Sequence, residues 1–137
     1  MDSISFVKEL RHFLDIDNDI DQYRKHLELS EMRDTTSIAL LKLYESLDSE
    51  SKKNFFEIIR QIKVDTTSLI LGVLDGVMIL KNQEADFILG IKGDKDLING
   101  ELQQIFLGFE EDDEWESYVP AVTKKPSKSL ICRVVAS

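Results

Sequence analysis

Apolar residues recur at three- and four-residue spacing through the first 76 positions, which is the spacing of an amphipathic helix. A first helix is predicted over residues 3–14, capped by Ser3 or Ser5. A second is predicted from Asp19 to about Leu29, and a third follows the capping residues Asp34, Thr35, Thr36 and Ser37. The longest runs from about Glu50 to Leu74 and ends at Asp75-Gly76. It holds more apolar positions than one stripe needs, which predicts a central place in the fold.

After residue 76 the pattern changes to short β-prone runs. Residues 77–80 and 87–91 predict an antiparallel hairpin, residues 101–109 a further helix, and residues 130–135 a last strand that could join the hairpin. The fold class predicted is therefore α+β: predominantly helical, with about five helices and a small antiparallel sheet. One domain is expected over 1–137, with a helical part over about 1–76, a hairpin, helix and acidic run over about 77–119, and a basic tail over 120–137.

Composition places the chain among folded proteins. Its 137 residues are 42% hydrophobic and 31% charged, which permits a real core and a well-solvated surface. No apolar run approaches the roughly 20 residues of a membrane span, and the N-terminal residues lack the features of a signal peptide. The single cysteine, Cys132, excludes an internal disulfide and fits a reducing compartment. A cytoplasmic protein is expected.

Charge is distributed unevenly. The chain carries a formal net charge of −9, and all 26 acids lie within residues 1–120, whereas residues 121–137 contain four bases and no acid. Nucleic acids attract basic patches, so no nucleic acid is expected as a partner. No membrane partner is expected either, since no apolar run is long enough to span a bilayer. An acidic surface is better suited to a basic protein.

The densest cluster of carboxylates is at residues 110–116. One interpretation is a binding surface for a basic partner, in which an aromatic side chain supplies contact area and the carboxylates accelerate association. The other is a solvated helix end, or an internal contact with Lys124, Lys125 and Lys128 of the tail. The candidate partner-binding residues are Glu110, Glu111, Asp112, Asp113, Glu114, Trp115 and Tyr118.

A second candidate is a strip of small and acidic residues on the long helix. Asp65, Ser68, Gly72 and Asp75 are spaced three, four and three apart, so they share one helix face. They could form a polar pocket that holds a metal or a general base. Alternatively, Gly72 permits close approach of another segment and Asp75 caps the following turn, or Asp65 caps a new helix.

Acids also alternate over Asp15–Asp21, in the manner of an EF-hand loop that starts at Asp17. Gln22 stands where that loop requires glycine, so helix capping is the preferred interpretation and whether the segment binds a cation stays open. His12, His26 and Cys132 have no neighbours at zinc-ligand or nucleophile spacing. No catalytic residue, metal site or cofactor is predicted.

The size and charge of the chain are similar to those of bacterial immunity and antitoxin proteins, which cover a basic toxin with a carboxylate-rich surface. The function predicted is a non-enzymatic acidic interaction module that binds a basic protein. The alternative is a small-ligand or divalent-metal-dependent protein that uses Asp65 and Asp75. A third possibility is a subunit whose apolar face is buried in a homo-oligomer, although the sequence leaves the oligomeric state undetermined.

Overall fold

The computed structural model describes residues 1–28 and 34–115, and these residues are predominantly helical. The α+β prediction is wrong, because the described ranges contain no strand and no sheet. The helices are α1 (Ser3–Leu14), α2 (Ile16–Glu28), α3 (Thr35–Glu45), α4 (Ser49–Leu74) and α5 (Leu102–Glu111). The predicted bounds of the helices agree with these to within a few residues.

Three of the helices begin with the same capping interaction. A carboxylate oxygen of the residue before the helix accepts the amide of the residue three positions later, in the pairs Asp2–Ser5, Asp34–Ser37 and Asp48–Ser51. Asp2 rather than Ser3 or Ser5 therefore caps α1. Hydrogen bonds from the serines lower the pKa of all three carboxyl groups below the usual 3.8.

The hairpin predicted near 77–91 is absent. A single isolated antiparallel bridge joins Gly90 to Leu97. The amides of Val77 and Met78 both donate to the carbonyl of Gly72 at the end of α4, so that backbone closes the helix instead of pairing with a second strand. A short apolar run does not by itself establish a strand, and here side chains of Gln83 and Asn99 bond to several backbone groups of the segment.

Asn99 is the main such side chain. Its amide nitrogen donates to the carbonyls of Leu74 (2.5 Å) and Phe87 (2.8 Å), and its oxygen accepts the amide of Leu89 (2.8 Å). Earlier in the same connection, the Gln83 side chain accepts a hydrogen bond from the Leu80 amide and donates one to the Ala85 carbonyl. The connection between α4 and α5 is thus held by hydrogen bonds without any ladder.

The strand predicted over 130–135 and the basic tail 120–137 lie outside the described residues. Contacts within the chain divide it into two compact units. The middle unit is Leu14–Val64, and the terminal unit combines Met1–Phe13 with the chain from Asp65 onward. The expectation of one domain stays a prediction.

The middle unit has an apolar and aromatic core. Ile20, Leu27, Tyr44 and Phe56 are buried together, and partly buried residues of α2, α3 and α4 pack around them. Tyr44, Phe55 and Phe56 pack in tilted and edge-on pairs, with ring centroids 5.3–5.9 Å apart. Such pairs contribute beyond the area that they bury.

The terminal unit buries most of α5. This short helix is covered on most of its sides. Seven of its ten residues are buried: Leu102, Gln103, Ile105, Phe106, Leu107, Gly108 and Phe109. Val7 of α1 and Leu71 of α4 are buried in the same unit. A helix enclosed this fully needs partners for the polar groups at both of its ends.

Candidate functional site

The candidate site lies at the C-terminal end of α5, where α1 holds it in place. Near the start of α1 the Ser3 hydroxyl donates to the carbonyl of Ile98 (2.6 Å), just before α5. Near the end of α1 the Arg11 guanidinium donates to the carbonyl of Phe109 (3.3 Å), near the end of α5. Because like ends are joined, the two helices run side by side in the same direction.

Arg11 joins α1 to the acidic segment. It forms ion pairs with Glu110 (3.3 Å) and Asp113 (3.1 Å), and its guanidinium lies over the Phe109 ring, 5.3 Å from the centroid. Glu110 is largely covered, with a side chain 12% exposed, whereas that of Asp113 is 88% exposed. The first of these pairs is therefore the better shielded from solvent.

The carboxylates beyond Glu110 point to solvent. Glu111, Asp112, Asp113 and Glu114 are all exposed. Asp112 ends the helix: its amide donates to the Gly108 carbonyl, and its carboxylate accepts the Glu114 amide. The structure therefore presents several negative charges on one short turn of defined backbone.

This arrangement works against the electrostatics of α5. The C-terminal end of a helix carries partial negative charge, so basic residues are favourable there and acidic ones are not. The last turn of α5 has no basic residue and ends in Glu110 and Glu111. Arg11 compensates for part of this charge. A locally unfavourable arrangement retained at an exposed surface is a feature more often found at functional sites.

Trp115, expected as an exposed aromatic, is buried at 9% exposure. Its ring packs on Phe109 at 5.6 Å between centroids and lies against Gly108, where a Cβ atom would overlap the indole. Its amide donates to the carbonyl of Asp112. Trp115 therefore fastens the acidic turn to α5. The remaining predicted residue, Tyr118, and the nearby Glu116 lie outside the described residues.

The second predicted site is brought together by the fold, together with a residue that sequence reasoning missed. Asp65 and Ser68 are buried on α4, and the Ser68 hydroxyl accepts a hydrogen bond from Gln103 of α5 (3.2 Å). The Gln103 Nε2 atom would be only 2.8 Å from a Cβ atom placed on Gly72, closer than such contacts allow. Gly72 thus permits close approach of a side chain of α5.

Asp75, the last residue of this strip, serves as the N-cap of α5. Its two carboxylate oxygens accept the amides of Gly100 (2.6 Å) and Gln103 (2.7 Å). The local capping position is Glu101, whose side chain makes no capping hydrogen bond. Asp75 replaces it from 25 residues or more away in sequence. The sequence contained one signal of this contact. Glu101, at the predicted start of the helix, is a weak capping residue, so the first amides of the helix need an acceptor from elsewhere in the chain.

The alternating acids of α2 meet cations within the middle unit. Asp17 pairs with Arg60 and Asp21 with Arg24, each at 2.7 Å, and Asp19 pairs with Lys63. A surface pocket of about 220 Å³ lies beside these pairs, with apolar residues and both signs of charge around it: Asp17, Ile20, Asp21, Arg24, Lys53, Phe56, Glu57 and Arg60. Within residues 1–28 and 34–115, no three His, Cys, Asp or Glu side chains are arranged to hold a metal ion.

No helix in the described ranges is long and apolar enough to cross a membrane. The sequence matches no family model, and it matches none of the curated proteins or solved structures with which it was compared. Any function must therefore be argued from the arrangement of side chains in the molecule.

Proposed function

We propose that the chain is a non-enzymatic interaction module that binds a basic protein through the acidic turn at the end of α5. We define the acidic turn as residues Glu110–Glu114. The observation that supports this proposal most is that four exposed carboxylates follow one another at the negative end of a buried helix.

Rigidity is the second support. Arg11 ties the acidic turn to α1, and Trp115 packs it against α5. A partner would meet carboxylates whose backbone is already ordered, so little conformational entropy would be lost on binding. Trp115 contributes by holding the turn, whereas contact with Tyr118 remains a prediction.

The chemistry that would recognise this surface is a patch of lysine and arginine side chains. Opposite charges accelerate encounter, and the gain falls as salt screens the attraction. A chain with net charge −9 adds a long-range field of the same sign. This role matches the immunity- and antitoxin-like profile, and with one cysteine in the chain we place it in the cytoplasm.

The alternative, a ligand or divalent-metal site at Asp65 and Asp75, has less support. Both oxygens of Asp75 already accept backbone amides, and Ser68 accepts a hydrogen bond from Gln103. These hydrogen bonds give the polar side chains on this helix face partners within the protein, so no ligand is needed to explain the strip.

The test is capture of partners from native lysate by three purified forms of the full chain. The first is wild type. The second, Glu111→Gln/Asp112→Asn/Glu114→Gln, removes charge from the acidic turn and spares both ion pairs of Arg11. The matched control, Glu9→Gln/Glu45→Gln/Glu57→Gln, removes the same charge from other exposed positions.

We expect a basic protein to be retained by wild type and by the control but lost from the acidic-turn variant. Binding of that protein should weaken as salt rises. Equal retention by all three forms, or no specific retention by any, would overturn the proposal.

A further inference from the structure

The connection between α4 and α5 exposes an unusual number of large apolar side chains. We call this the apolar loop surface and define it by Val77, Ile79, Leu80, Phe87, Ile88 and Leu97, each of which is exposed. Ile79 and Ile88 are the extremes, at 74% and 76% exposure. Scattered apolar residues on a surface are normal, but a concentration of them marks an interaction site.

The backbone that carries these side chains is fixed at several points. Asn99 connects it to Leu74, Phe87 and Leu89. The Ile98 amide donates to the Leu89 carbonyl (2.7 Å), next to the bridge between Gly90 and Leu97. The apolar side chains are therefore presented by an ordered segment, as in a preformed binding surface.

Charged residues of both signs are interspersed with the apolar residues along this segment of the sequence. Residues 77–97 contain three lysines and four carboxylates: Lys81, Lys92, Lys95, Glu84, Asp86, Asp94 and Asp96. Among the described residues none of these seven takes part in an ion pair. In contrast, Arg11, Arg24 and Arg60 are each paired. The segment is close to neutral, although the chain as a whole is strongly acidic.

We propose that the apolar loop surface binds the same surface of a second copy of this chain. A two-fold symmetric contact brings one patch against itself, so the patch must be complementary to itself in charge. An exposed apolar segment that carries nearly equal numbers of both signs meets that condition, because lysines of one copy can face carboxylates of the other. The uniformly acidic turn at the end of α5 does not meet it.

This contact is independent of the proposed binding of a basic protein. It uses the connection before α5, whereas the acidic turn follows α5. A near-neutral apolar surface also gives little attraction to a basic partner. A failure of either proposal leaves the other standing.

The experiment is the mass of the full chain in solution, measured by sedimentation velocity and light scattering over a wide concentration series. The test variant is Ile79→Ser/Ile88→Ser. The control is Ile58→Ser/Ile62→Ser, which makes the same change at two exposed isoleucines of α4, at 60% and 59%. Circular dichroism and thermal unfolding establish that each variant folds.

Wild type and the control should form a dimer that dissociates on dilution, and the Ile79→Ser/Ile88→Ser variant should stay monomeric at the same concentrations. A wild type that is monomeric throughout would overturn the proposal. In that outcome, loss of thermal stability in the test variant would identify another part of the same chain as the occupant of the surface. A dimer unaffected by Ile79→Ser/Ile88→Ser would also overturn it.

Discussion

Two regions of this protein join helices by different chemistry. In the terminal unit, side-chain hydrogen bonds attach the end of α4 to the start of α5. Asp75 accepts two backbone amides, and the side chains of Asn99 and Gln103 donate to groups of α4. In the middle unit, α2 and α4 share an aromatic and aliphatic core, with ion pairs at its exposed margin. The first arrangement satisfies groups that would otherwise lack partners, whereas the second adds charge pairs that water could replace.

The difference predicts where substitutions will matter. Removing an acceptor from a partly buried backbone amide, such as that of Gln103, leaves that amide poorly satisfied, which is costly. Separating an exposed ion pair releases two groups that water solvates well. We therefore expect large effects at Asp75 and small ones at Asp17 and Arg60.

The largest effect should come from Asp75→Ala. The amides of Gly100 and Gln103 lose a charged acceptor together, and the free energy of unfolding should fall by about 3 kcal/mol. Urea unfolding followed by circular dichroism measures the loss. Asp75→Asn keeps one oxygen acceptor and should lose roughly half as much. A loss below that of an ordinary surface substitution would show that the cap contributes little.

Gly108→Ala should destabilise the protein by about 2 kcal/mol, because the added methyl overlaps the indole of Trp115. The better helix propensity of alanine offsets only part of this cost. Trp115 is the only tryptophan, so its fluorescence emission should shift to longer wavelength as the ring moves toward water. Gly90→Ala is the control, since a Cβ there makes only an ordinary contact with Leu97 at 3.6 Å. An unchanged spectrum for Gly108→Ala would contradict the packing described.

The ion pair between Asp17 and Arg60 should contribute less than about 1 kcal/mol. A double-mutant cycle with Asp17→Asn and Arg60→Gln isolates the coupling from the other contacts of each residue. The coupling should shrink further in high salt. A value as large as the effect of Asp75→Ala would remove the distinction between the two regions.

The smallest effect concerns the exposed cap of α4. Hydrogen bonds from Ser51 lower the pKa of Asp48 below 3.8 in the folded protein. Its contribution to stability is therefore complete above the unfolded pKa and is lost as pH falls through the lower folded pKa. Asp48→Asn keeps the capping oxygen without the titration, so unfolding of this variant should depend less on pH below 3.8. Identical pH profiles for the two forms would contradict this account.

The helices were predictable because their signals are local. The apolar stripe of Ser3–Leu14 lies within the segment itself, and its cap, Asp2, is the residue directly before it. The hairpin failed for the opposite reason. Its β-prone residues were predicted to pair as two strands, but the backbone of Phe87 and Leu89 instead bonds to the side chain of Asn99, ten or more residues beyond.

The candidate sites show the same division between local spacing, which was predictable, and contacts with distant residues, which were not. The helical spacing of Asp65, Ser68, Gly72 and Asp75 was enough to place them on one face, but not to find Gln103 opposite them. Trp115 was identified as important, yet its burial depends on Gly108, seven residues earlier, having no side chain. Contacts of this kind depend on tertiary packing, which a single sequence does not display.

The side-by-side arrangement of α1 and α5 has a consequence for synthesis of the chain. Hydrogen bonds that hold α1 beside α5 join residues 95 to 102 positions apart, so α1 finds these partners only after the long intervening chain has been synthesised. The middle unit is one continuous segment and can form earlier. Until α5 emerges, the face of α1 that will pack beside it remains open to chaperones and to other nascent chains. Closing so long a loop is also slow, which makes completion of the terminal unit the expected last step of folding.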